Sequence, residues 1–81
     1  MNALEPYEEI VDFIAAGSTP QAVVAFRPST EAQTRVAMLV GRSKVGRISN
    51  EEQAELDDYM RLEHLMVMAK ARARRFTQLA P

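Results

Sequence analysis

Ser49-Asn50-Glu51-Glu52-Gln53-Ala54-Glu55-Leu56-Asp57-Asp58-Tyr59-Met60-Arg61-Leu62-Glu63-His64-Leu65-Met66-Val67-Met68-Ala69-Lys70-Ala71-Arg72-Ala73-Arg74-Arg75-Phe76-Thr77 holds neither glycine nor proline. It opens with a capping box, Ser49 with Glu52, and no helix breaker follows until Pro81. A single helix is therefore predicted from about residue 50 to about residue 77, on the order of 40 Å at about 1.5 Å per residue. Tyr59, Leu62, Met66, Ala69, Ala73 and Phe76 recur in alternating steps of three and four, the seam one helix offers another. Leu56, Met60 and Val67 lie beside that seam, and Leu65 and Met68 carry apolar surface round the middle. A helix apolar on every side is usually buried on every side.

The preceding residues supply three shorter helices, expected at about 6–16, 20–26 and 30–45. Pro6 suits a first helical position, and Tyr7, Ile10, Val11 and Ile14 share one face before Gly17 closes the helix. Thr19 is placed to cap a short helix starting at Pro20, and Pro28 disfavours helical geometry at Arg27. Thr30 with Gln33 reads as a further capping box, Ala32, Val36, Leu39 and Val40 form a stripe, and Gly46 terminates it. The fold class expected is all-α: one domain over residues 1–81, three short helices packed on a long C-terminal helix, in an oligomeric bundle. Three short helices cover one side of the long one, so the other side should meet a second copy or a partner.

Composition agrees. At 81 residues the chain has room for one modest core, and without cysteine it has no disulfide or thiolate metal site to reinforce that core. Apolar residues are 47% and charged residues 26%, a globular balance. Residues 1–7 lack the basic start and apolar run of a signal peptide, and no stretch reaches membrane-spanning length, so a soluble cytoplasmic protein is expected.

The net charge of −1 argues against bulk electrostatic coating of nucleic acid. The charges come in blocks, acidic over residues 5–31, basic over 35–47, acidic over 51–63 and basic over 70–75. Two long helices lying antiparallel would set each acidic half against a basic one, whereas a parallel pair would oppose like charges. The same polarity also complements the helix macrodipole, and both readings stand.

Candidate chemistry is sparse. His64 is the lone histidine, with no second His or Cys to complete a metal site. Glu55, Asp57 and Asp58 point in different directions on a helix and read as a solvated face. Gly41 to Gly46 lacks phosphate-loop spacing. No enzyme activity and no cofactor are expected. Arg42, Lys44 and Arg47 at one helix end and Arg72, Arg74 and Arg75 at another complement the dipole, and are also the candidates for contact with a partner or with nucleic acid. Glu51, Glu52 and Glu55 would repel phosphate where a recognition helix would need to approach it.

Tyr7-Glu8-Glu9-Ile10-Val11-Asp12-Phe13-Ile14-Ala15-Ala16-Gly17, Ala25-Phe26-Arg27-Pro28-Ser29, Leu56-Asp57-Asp58-Tyr59-Met60-Arg61-Leu62-Glu63-His64 and Ala69-Lys70-Ala71-Arg72-Ala73-Arg74 together resemble a family of small, uncharacterised bacterial proteins common in cyanobacteria. The likeness covers nearly the whole chain. Members look like antitoxin-type proteins encoded beside nucleases of the HNH or PIN kind, which implies a nuclease as partner and transfers no functional residue. The expectation is thus a non-enzymatic helical interaction protein. It self-associates as a dimer or tetramer through Tyr59, Leu62, Met66, Ala69, Ala73 and Phe76, with Leu65, Met68 and the C-terminal arginines as a second surface. The alternatives are a DNA-binding autoregulator using the basic helix ends and a structural scaffold.

Overall fold

The computed structural model describes residues 5–79. They form four helices: α1 Pro6–Ala15, α2 Pro20–Ala25, α3 Thr30–Lys44 and α4 Asn50–Leu79. No strand occurs among the described residues. The readings of the first four residues and of Pro81 as a helix stop lie outside the described residues.

Local chemistry sets each boundary. Glu5 caps α1, its N–H meeting Glu8 Oε1 at 3.4 Å. Gly17 then takes φ 76°, left-handed backbone that costs a side chain strain. Thr19 caps α2 by accepting the Ala22 N–H at 3.1 Å. The cap of α3 is Ser29 rather than Thr30, which is the first helical residue. Ser29 is extended at φ −62°, ψ 162°, and its Oγ accepts the Ala32 N–H at 3.0 Å. A contact remote in sequence selects it: Glu9 of α1 accepts both the Ser29 N–H, at 2.9 Å, and its hydroxyl, at 2.5 Å. Gln33 donates to the Pro28 carbonyl at 3.0 Å instead of completing a box with Thr30. Gly46 at φ 70° ends α3, and Ser49 with Glu52 starts α4 reciprocally, at 3.0 and 3.1 Å.

All three shorter helices rest on α4, and α1 also touches α3. Ile10, Tyr59 and Met66 centre the core, with Tyr7, Phe13, Val23, Phe26, Val36 and Leu62 packed round them. Phe13 and Phe26 meet as a tilted ring pair with centroids 4.6 Å apart. On the α3 side, Arg35 holds the buried Glu55 with two hydrogen bonds, 2.9 and 2.8 Å, and Arg42 pairs with Glu52 nearer the turn. The hydrogen bond to Glu55 is the chief reason the Arg35 guanidinium holds its proton more tightly than usual.

The result is a slab of 51 × 29 × 18 Å. At 18 Å it is about two helices thick, each roughly 10 Å across. Its radius of gyration is 14.6 Å, where a compact chain of this length has about 12 Å. Its accessible surface is 5983 Å², against about 4,900 Å² for a typical monomer of this mass.

Candidate interaction surface

A helix turns about 100° per residue, so α4 presents two opposite seams. The inner one is the seam singled out in the sequence. Tyr59, Met66 and Ala73 on it are buried and Leu62 and Ala69 half-buried, with Met66 at 4% exposure, while Phe76 at 62% lies outside the core. Tyr59, Leu62 and Met66 face the chain's own short helices. This stretch is unavailable to a second copy unless the monomer opens. Burial among these side chains also raises the pKa of the Tyr59 hydroxyl, mainly by desolvation.

The outer seam runs through Asp57, Arg61, His64, Met68, Ala71 and Arg75, stepping four, three, four, three and four. All six are exposed. Apolar side chains flank it: Leu65 on one side, Met60 and Val67 on the other, and Phe76 near the end, each about half exposed or more. On the Leu65 flank the apolar surface continues into a groove of about 300 Å³ shared with Phe13, Ile14, Val23 and Ala69. Val11 and Ile14 are likewise exposed on α1. Uncovered side chains of this size, grouped along one helix and its neighbour, are unusual on a protein that works alone.

The basic candidates divide. Arg42 is held by Glu52, whereas Arg47, whose backbone N–H closes the end of α3 on the Arg42 carbonyl at 2.9 Å, is exposed. Lys44 is exposed, as are Arg72, Arg74 and Arg75. Lys70, in the same C-terminal block, serves the fold: its ammonium donates to the Phe26 carbonyl at 2.8 Å and sits 5.9 Å from the centroid of the Phe26 ring. Burial, then the charges of Arg27 and Arg74, lower its pKa. Arg27 donates to the same carbonyl at 2.8 Å, so two cations close the C-terminus of α2.

His64 is exposed and stands on the outer seam. Among the described residues no three His, Cys, Asp or Glu side chains are grouped to hold a metal ion. A hollow of about 550 Å³ between α1, α3 and α4 is lined by Glu5, Glu9, Glu31, Arg35 and Glu55. Glu9 there is occupied by Ser29 and Glu55 by Arg35, so those two carboxylates tie helices together. Both pairings escape local reading of the sequence. One signal for Arg35–Glu55 and Arg42–Glu52 exists: each pair lies nearly equidistant from the Gly46 turn, as partners across a helical hairpin do. Glu9–Ser29 carries no such signal.

No family model, curated protein or solved structure matches the chain. A helix-rich slab with a half-uncovered long helix is the class of protein that fold and surface define.

Proposed function

We propose that the chain is a non-enzymatic interaction protein that self-associates through the outer face of α4. The observation that carries this reading is the exposure of Met60, Leu65, Val67 and Met68 on the face turned away from the core. Light scattering after gel filtration should give about twice the 9.1 kDa chain mass or a higher multiple. Met68→Glu should give the monomer mass with unchanged helix content. A wild-type monomer at every concentration tried would overturn the reading.

The likeness to antitoxin-type proteins supports a nuclease as the macromolecule this assembly serves. Glu5, Asp12 and Glu31, exposed away from the outer seam, suit the basic groove in which a nuclease receives phosphate. Affinity capture from the native host with the tagged protein should then recover a nuclease in stoichiometric amount. Recovery of the chain alone would remove the nuclease and leave self-association in place. Exposure of Arg72, Arg74 and Arg75 supports DNA binding as a second reading. A gel shift lost with Arg72→Ala and Arg74→Ala would favour it.

A further inference from the structure

The geometry points to a specific dimer: the α4 helix of a second copy lies antiparallel along the outer seam, with Asp57 facing Arg75 and His64 facing Met68 across a two-fold axis near residue 66. This inference rests on the self-association reading and adds the partner's orientation and register.

Three observations carry it. First, the outer seam has the three-four spacing that keeps two helices in contact over several turns, and all six of its side chains are exposed. Second, its charge is polar along the axis. On the seam and its flanks, Asp57 and Asp58 with Arg61 occupy the first half, and Arg72, Arg74 and Arg75 the second. A parallel pair would stack Asp57 on Asp57 and Arg75 on Arg75, whereas the antiparallel pair sets opposite charges together twice over. Arg61 opposes the trend, but it already leans on Asp58 of its own helix at 3.3 Å.

Third, one register satisfies the whole seam. With Asp57 on Arg75, the central layers become His64 on Met68, while long Arg61 crosses small Ala71. On one flank Leu65 then meets Leu65 of the second copy and Asp58 meets Arg72, and on the other Val67 meets its own copy. Sliding by one heptad either way puts Asp57 on Met68 with Arg61 on His64, or His64 on Arg75. Those arrangements bury the Asp57 charge against a thioether or set an arginine against the His64 ring instead of against an acid.

The chain contains no cysteine, so introduced thiols report contacts without background. Oxidation of the double variant Asp57→Cys/Arg75→Cys should give a covalent dimer, while either single variant should remain single-chain on a non-reducing gel. Disulfides form only when the two Cα atoms lie within about 7 Å, so the pattern is specific. Separately, Asp57→Arg should weaken association about tenfold, and Asp57→Arg/Arg75→Asp should recover it. His64→Leu, filling a central layer with an apolar side chain, should tighten the dimer. Single variants that cross-link as readily as the double one would establish a parallel pair. No cross-linking by the double variant of a dimeric protein would move the interface elsewhere. Both results overturn the orientation and leave self-association intact, whereas a monomeric wild type removes both.

Discussion

Met66 and Met68 stand two residues apart on α4 and point to opposite sides of the molecule, which makes them a paired test of the fold. Met66 is 4% exposed and packs with Ile10 and Tyr59, whereas Met68 is 49% exposed. Truncating a buried methionine to alanine costs the transfer free energy of the lost atoms and the cavity they leave, about 2–5 kcal/mol. A chain of this length has about 4–12 kcal/mol in all. Met66→Ala should therefore lose at least about a sixth of its stability, and at the unfavourable end should not fold. Met68→Ala removes no core contact and should change monomer stability by about 0.5 kcal/mol or less. The assay is urea unfolding followed by circular dichroism at a low and a high protein concentration. Met66→Ala should lower the midpoint at both. The effect of Met68→Ala should appear only at high concentration, where association adds to apparent stability by mass action. A wild-type midpoint for Met66→Ala, or a large loss for Met68→Ala at low concentration, would refute the division of α4 into an inner and an outer face.

The polar ties between helices give further tests by the same unfolding assay. Arg35→Ala leaves Glu55, 7% exposed, without its partner and should cost about 1–3 kcal/mol; solvent reaching Arg35 keeps the loss below that of a fully buried pair. A loss no larger than that of a surface substitution would deny the pairing. Ser29→Ala removes the cap of α3 and the hydroxyl that Glu9 accepts, and should cost about 1–2 kcal/mol, against nearly nothing for Thr30→Ala. The Glu52 carboxylate has its pKa lowered, first by the Ser49 N–H and also by the charge of Arg42. A carboxylate with a depressed folded pKa stabilises above the ordinary carboxylate range, and that contribution is lost as pH falls through the lowered value. The melting temperature should thus fall on acidification, and less steeply in Glu52→Gln than in the wild type. Equal slopes would show that Glu52 has no part in it.

The helices and their breaks were legible because their causes are local. Thr19, Ser49 with Glu52, Gly17 and Gly46 each act within a few residues, so the sequence carries the whole instruction. The cap of α3 shows where this stops. Ser29 and Thr30 both bring a hydroxyl, and Glu9, twenty positions upstream, decides between them. The long helix shows the same limit on a larger scale. Periodicity reveals that α4 has apolar residues all round its middle, but two seams satisfy the three-four rule equally well. Which seam meets the chain's own core depends on where α1, α2 and α3 dock. Tyr59, Leu62 and Met66 therefore carry the right pattern for a contact between copies and are used within one. The Lys70 contact with Phe26 has the same origin, since nothing near Lys70 in sequence marks it as a cap for α2.

The reason a face of α4 stays uncovered is arithmetic of length and width. At about 1.5 Å per residue α4 reaches about 45 Å, while α1, α2 and α3 span about 15, 9 and 22 Å. Laid along α4 they cover one side of it, which is why the slab is 18 Å thick and why, among the described residues, Ile10 at 1% and Leu39 at 0% exposure are the most fully shielded large side chains. A fifth helix, on the far side of α4, would complete the bundle, and this chain has none among its described residues. The segment best matched to that vacancy in length, spacing and charge polarity is another α4. In the antiparallel pair two slabs join back to back, so Met68 moves from the surface to the middle of a thicker bundle. The cross-linking pattern of residues 57 and 75 reads that arrangement directly. It does so independently of which macromolecule the assembly goes on to bind.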